Sequence, residues 1–574
     1  MVYCGKPSAG CGACRARKVK CDQTRPACNR CIKANRDCPG YRDHLSLLFR
    51  DQSRAVARKA KSATPDSSSA SSPVRQPSAA NPSLPLKGTV GVHSPASTPD
   101  ELDFSSDVVV NSIPSHPFTV NRKFEAACFF FDSFAWLYSG VMKWCDPYGD
   151  TSSTTPLGKK AMMNAIASVG MANLSSIQGS HSLRVSAWRE YAEALKWTNA
   201  AISDRTQVTE DTTLAAILCL SLFEILTCKH PATINDFIQH TNGAIALLEL
   251  RGESQLQLPD SLHLFFALRN EVVIGCILQR LPVPRRLIAL SEKATKLPTA
   301  TPITKAGHNL NVIMASVCDL RISHENHRSS INADLLSYAF ALDSRIEDLK
   351  NNFSEDFMYE TVTAAPETSF KLTESRRIFP LNGIYHIYSS WGVTNVWNVY
   401  RYARILINEV ILNQLRLMTT HPDADPPTQD LKDLCYRSCC LVRSLADDIC
   451  ASVPCLLQLV GSSDQLVKSS AGGLTILFPL FIAGGVDGPE HPKCRWAQEC
   501  FRIVGRALGI DQALTLADML PDEKPMTAFV DALNESLHEQ ENGIFHDMQC
   551  NTPGISNTPN IITDEDDQYY ALGA

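Results

Sequence analysis

Six cysteines near the N-terminus are spaced Cys11-x2-Cys14-x6-Cys21-x6-Cys28-x2-Cys31-x6-Cys38. The unit C-x2-C-x6-C is used twice. Zinc takes four thiolates in a tetrahedron, so one ion would leave two cysteines over. Two ions want eight ligand positions, and six sulfurs supply them if two thiolates bridge both metals. The repeat nominates the first cysteine of each half, Cys11 and Cys28, as the bridges. Cys14 and Cys21 would then complete one zinc, and Cys31 and Cys38 the other. The expected cofactor is therefore two Zn(2+) per chain. Each x6 gap has room for a short helix that returns the next cysteine to the metal. Iron–sulfur sites favour tighter cysteine runs without basic residues between ligands. Cys4 lies outside the repeat and reads as a spare thiol.

The inserts between ligands carry the second chemical signal. Arg15-Ala16-Arg17-Lys18-Val19-Lys20 holds four cationic side chains and no acid. In the second half, Lys33 and Arg36 stand against Asp37. The first half is thus the stronger candidate for contact with a polyanion. Arg and Lys donate to guanine O6 and N7 in the DNA major groove. Arg15, Arg17, Lys18 and Lys20 are the expected readers, while Arg30, Lys33 and Arg36 would position the module on phosphates.

With Asp22 after the third cysteine and Arg25-Pro26 before the fourth, the segment resembles the fungal Zn(II)2Cys6 binuclear cluster family. The resemblance supports the same bridging pair. It implies that the helix of the first half enters the major groove and reads a CGG-type triplet, its C-terminal end lying near Arg17 and Lys18. It further implies a nuclear, RNA polymerase II type transcription regulator rather than an enzyme.

The charge distribution fits such a head. Residues 1–61 carry a balance of +11, whereas the whole chain of 574 residues stands at −6. A basic head on an acidic body suits a protein that meets a polyanion at one end. The zinc-bearing head is placed at residues 5–43, followed by a basic helix at 44–61. That helix reads equally as extra phosphate contact, an import signal or a solvated linker. It offers only Leu45, Leu48 and Val56 to a seam, too few for a zipper. Residues 62–117 hold 14 Ser and 9 Pro and read as a disordered linker.

From residue 118 to 545 the pattern predicts one large all-α body, so the chain is expected to be mostly α. Leu214, Ile217, Leu218, Leu222 and Ile225 recur at spacings of three and four, the mark of one helix face. Residues 236–250 and 396–417 behave alike. Prolines at 259, 282, 284, 422, 426 and 427 punctuate the helices, and no sustained alternation predicts strands. Residues 546–574 read as an acidic flexible tail.

The body resembles the fungal-specific transcription factor domain, which implies a regulatory role. The resemblance rests on Asp211-Thr212-Thr213-Leu214 through Glu224, on His240 with Gly243-Ala244, and on Arg251-Gly252. Leu268-Arg269-Asn270 and Ala471-Gly472-Gly473 leading to Phe478-Pro479-Leu480 belong to it too. Coactivators, a second copy and a small-molecule effector remain open as partners.

Catalytic motifs with phosphate-loop, H-E-x-x-H or G-x-S-x-G spacing are absent. Cys435, Cys439 and Cys440 read as structural thiols, His240 as a structural histidine, and Trp391, Trp397, Tyr400 and Tyr402 as core. Asp100 to Phe104 reads as solvated surface. The longest apolar run, Leu474 to Val486, contains Pro479 and falls short of the roughly 20 residues of a membrane span. With no apolar signal region at the start, the expectation is a soluble, intracellular chain.

Overall fold

A computed structural model describes residues 11–17, 19–22, 24, 27–36, 38, 121–134, 154–229, 234–420, 427–460 and 470–531. The expectations for residues 44–61, 62–117 and 546–574, and for Cys4, lie outside this set.

The head contains two five-residue helices, α1 (Gly12–Ala16) and α2 (Asn29–Lys33). The described body begins with α3 (Arg122–Phe134), α4 (Leu157–Gln178), α5 (His181–Ser203) and α6 (Asp211–Leu226). Next come α7 (Ile234–Arg251), α8 (Pro259–Gln279), α9 (Arg285–Thr295), α10 (Pro302–Asn326) and α11 (Ala333–Asn351). The last group is α12 (Trp391–Thr420), α13 (Gln429–Leu456), α14 (Ser470–Gly485), α15 (Pro492–Leu508) and α16 (Asp511–Met519).

Local chemistry sets the helix starts. Ser180, Thr301, Asn332 and Thr428 each accept a backbone N–H of the first turn through the side chain, the usual way to satisfy orphaned donors. Pro259, Pro302 and Pro492 open α8, α10 and α15, where a missing N–H costs nothing. Pro454 and Pro479 instead lie inside α13 and α14.

The body shares one continuous apolar core. Leu214, Ile217, Leu218 and Leu222 are all buried, as the periodicity requires, but Ala215, Ala216, Cys219 and Leu220 are buried too. α6 is therefore a central helix packed on all sides rather than an amphipathic surface helix. α4 lies against α3, α5 and α6, and α12 lies against α10, α11 and α13.

One element departs from the all-helical expectation. Between α11 and α12 the chain forms β1 (Tyr359–Thr363), β2 (Phe370–Lys371), β3 (Arg377–Ile378) and β4 (Ile384–Tyr388). β1 pairs antiparallel with β4, from Tyr359 opposite Tyr388 to Thr363 opposite Ile384, and β2 pairs with β3. YETVT and IYHIY are rich in β-branched and aromatic residues, which suit a pleated, half-buried surface. Five-residue strands are too short to show a sustained alternation in the sequence.

Arg401 of α12 fastens this ribbon. Its guanidinium is fully buried among the rings of Tyr359, Tyr388 and Trp397, at 5.1, 5.7 and 5.4 Å. Nη1 donates to the Tyr388 hydroxyl at 2.7 Å and to Asn398 Oδ1 at 3.1 Å, and Nε lies 3.6 Å from Asp448 of α13. Separately, α8 is long and apolar enough to cross a membrane by length and composition, which the expectation from the longest uninterrupted apolar run did not anticipate. In the fold it packs against α6, α7 and α10.

Candidate metal centre and nucleic-acid interface

The two C-x2-C turns are built alike. The backbone N–H of Cys14 donates to Cys11 Sγ at 3.3 Å, and that of Cys31 donates to Cys28 Sγ at 3.3 Å. Each turn opens a helix and aims two sulfurs at one point. Cys11, Cys14, Cys28 and Cys31 are fully buried, and Cys21 and Cys38 are half-buried.

The six sulfurs fall into two tetrads. Cys11, Cys14, Cys21 and Cys28 form one, and Cys11, Cys28, Cys31 and Cys38 the other, all sulfurs of a tetrad lying within 4.8 Å of one another. Cys11 and Cys28 are common to both. Cys11 Sγ is 3.6 Å from Cys28 Sγ and 3.7 Å from Cys31 Sγ, and Cys14 Sγ is 3.7 Å from Cys28 Sγ. A tetrahedral zinc with Zn–S bonds near 2.3 Å sets its sulfurs about 3.8 Å apart. The donor set and its spacing fit zinc.

Asp22 ties the halves together. Its carboxylate accepts the backbone N–H groups of Asn29 and Arg30, at 3.0 and 3.3 Å, and the Thr24 hydroxyl at 2.6 Å. The Thr24 hydroxyl and the first-turn amides of α2 hold the carboxyl far below its usual range. In the sequence Asp22 stands out only as part of the family pattern. A capping residue seven positions ahead of its helix gives no local signal.

The basic residues are distributed unequally. Lys20, Arg30, Lys33 and Arg36 are exposed. Arg17 is half-buried and lies back along α1, Nε donating to Ala13 O at 3.3 Å and Nη2 standing 3.9 Å from Cys14 Sγ. α1 ends at Ala16, so Arg17 stands just beyond it. Lys18 and the side chain of Arg15 lie outside the described residues.

Residues 9–47 match the fungal Zn(2)-Cys(6) binuclear cluster domain, and residues 128–491, well over half of the chain, match the fungal specific transcription factor domain. The chain belongs to the fungal specific transcription factor family.

This transcription factor has relatives of the same kind. It is 50% identical over 36 residues to the transcriptional regulatory protein moc3 of Schizosaccharomyces pombe, covering 6% of this chain and 7% of that one. Over 174 residues it is 26% identical to the transcription factor dbaG of Emericella nidulans, covering 29% and 38%. The aspercryptin biosynthesis cluster-specific transcription regulator atnN of Emericella nidulans is 41% identical over 58 residues, 10% of each chain. This chain thus spans well under two thirds of each relative. No solved structure matches it. The match at the head is thus to a zinc-cluster domain and the match in the body to a transcription factor domain.

The body residues that carried the family resemblance prove to be fasteners. Asp211 of α6 pairs with Arg251 of α7 and accepts the Ser261 hydroxyl at 2.6 Å, while Arg251 Nη1 donates to Thr209 O at 2.8 Å. Gly472 lets α14 approach the end of α13, because a Cβ there would stand 2.3 Å from Leu456 O. Gly252 takes φ of +57°, which glycine accommodates without strain. Cys435, Cys439, Trp397, Tyr400 and Tyr402 are core residues, with Cys440 and Trp391 at its margin. The side chain of His240 lies outside the described residues.

Proposed function

We propose that the chain is a nuclear regulator of RNA polymerase II transcription whose head carries two zinc ions and reads CGG-type triplets. The carrying observation is the pair of sulfur tetrads that share Cys11 and Cys28. Shared sulfurs are what six ligands need to serve two tetrahedral ions. Cys14 and Cys21 would complete one site, and Cys31 and Cys38 the other. When bound, the ions supply cross-links and no reaction. A segment this small cannot build a sufficient apolar core, so metal binding is its folding free energy.

The protein supplies the charge. On binding a duplex, Arg15, Arg17, Lys18 and Lys20 would contact the bases of the major groove, and Arg30, Lys33 and Arg36 would hold phosphates. Arg17 also lies close enough to Cys14 to offset thiolate charge. The helical body is the regulatory part, where a second copy, coactivators or an effector would bind.

The test uses the purified full-length protein. Elemental analysis should give two zinc ions per chain. Binding to a CGG-bearing duplex should exceed binding to a scrambled duplex, and Lys18→Ala should cut the preference. Removing one phosphate-binding cation such as Lys33 should lower the slope of log affinity against log salt by about one. One zinc per chain would refute the shared sulfurs, and equal affinity for both duplexes would refute base reading.

A further inference from the structure

A cavity of about 180 Å³ lies where the end of α4, the start of α5, the end of α6 and the first residue of α16 meet. Ala172, Ala187 and Trp188 supply an apolar wall, and Arg184, Lys229 and Asp511 supply charge. Asp511 is only 9% exposed. Its carboxylate takes a long 3.5 Å hydrogen bond from the Ser176 hydroxyl and stands 3.9 Å from Lys229 Nζ. Arg184 attracts it from further off, and burial nevertheless raises its pKa above the usual carboxylate range.

The loose ion pair does not reflect a loose frame. Asn173 Nδ2 of α4 donates to the carbonyls of Leu508 and Gly509, at 2.6 and 3.2 Å, just ahead of α16. Thr515 of α16 donates to Cys228 O at 2.8 Å, next to Lys229. With α16 docked at both points, the carboxylate still falls short of close contact with its cations. The charged groups border a space instead of closing on one another.

Size and charge then select the occupant. Drug-sized ligands fill pockets of roughly 300–1,000 Å³, so a nucleotide or large cofactor is too big. Two cations face one carboxylate beside an apolar wall. An ammonium group would satisfy Asp511, a carboxylate would satisfy Arg184 and Lys229, and a short side chain would cover Ala172, Ala187 and Trp188. We propose that this cavity binds a small zwitterion, an α-amino acid with a short side chain. Asp511 lies beyond the residues that match the family domain, and the rest of the lining lies within them. An occupant would join α16 to α4, α5 and α6. The proposal does not depend on how the head reads DNA.

The experiment is calorimetric titration of the zinc-loaded full-length protein with L-alanine, L-serine and L-valine. Acetate and methylammonium, each alone, serve as half-ligand controls. The expected result is saturable binding of at least one amino acid in the millimolar range or tighter, with slower hydrogen exchange over residues 511–519. Asp511→Asn should weaken binding at least about tenfold, and Ala187→Leu, which fills the cavity without changing charge, should abolish it. Melting curves establish that each variant is folded. If Ala187→Leu does not fold, Arg184→Met takes its place. Flat titrations for all three amino acids overturn the proposal. So does a half-ligand that binds as tightly as the zwitterion, or folded variants that bind as the parent does.

Discussion

Asp211→Ala should be among the most damaging single changes in the body. The Asp211 side chain is 15% exposed and that of Arg251 4%. Removing the carboxylate leaves a guanidinium in a closed site with only the neutral Thr209 carbonyl to accept from it, and takes away the acceptor of the Ser261 hydroxyl. Deleting one member of a buried ion pair costs about 3–5 kcal/mol, because the survivor keeps its desolvation penalty. Against a typical total of about 5–15 kcal/mol, that is a large share. Replacing both partners removes both penalties, so Asp211→Ala with Arg251→Met should cost clearly less than the two single changes summed. The assay is urea unfolding of the full-length protein followed by far-ultraviolet circular dichroism, which reports the helical body. Duplex binding below the transition should stay at the parent level. A cost under about 1 kcal/mol for Asp211→Ala, or strict additivity in the cycle, would refute the reasoning.

Further predictions concern titration, close approach and capping. Burial, and then the charge of Arg401, push the pKa of His386 down to about 3. The unfolded chain thus takes up a proton that the folded one refuses, so stability is present above about pH 6.5 and lost as pH falls toward 3. At pH 5 the loss from this group is about 2 kcal/mol, and His386→Gln should flatten that part of the parent's stability curve. Glu271 has the opposite sign: burial lifts it to about 8, so its stabilising neutral form is lost as pH rises from the unfolded value through 8. Glu271→Gln should gain on the parent above pH 7 in the same assay; a parallel pair of curves would count against this. Gly170→Ala places a Cβ 2.0 Å from Ala126 O where α3 crosses α4, and overpacking of that kind costs about 1–3 kcal/mol. An unchanged melting temperature would show that the two helices separate freely. Asp22→Ala removes the acceptor for the first amides of α2, and competition with a chromogenic chelator should show faster zinc release than from the parent.

Legibility followed sequence distance. The clustering of the six cysteines could be read because each C-x2-C turn is local and the two halves repeat. Leu214, Ile217, Leu218 and Leu222 were likewise readable as a helix face, since their spacing alone defines it. That α6 is buried on every side was not readable, because it depends on which helices surround it. Asp211 and Arg251 were visible as motif residues, yet nothing in a chain segment says that side chains forty positions apart will pair. The β1–β4 ribbon escaped for the same reason. Its strands are five residues each, and their pairing spans from Tyr359 to Tyr388. The setting of Arg401 is likewise non-local, since the rings of Tyr359 and Tyr388 that enclose it come from that ribbon.

The make-up of α8 bears on how the protein fails. A stretch of 21 residues that apolar is harmless only while α6, α7 and α10 cover it. Arg269 and Glu271 are the basic and acidic interruptions in its middle, and both are shielded from water in the folded body. Once its neighbours lift away, the stretch exposes a long apolar surface to other chains. Weakening this body should therefore show up first as precipitate and lost yield, rather than as soluble protein with a dulled response.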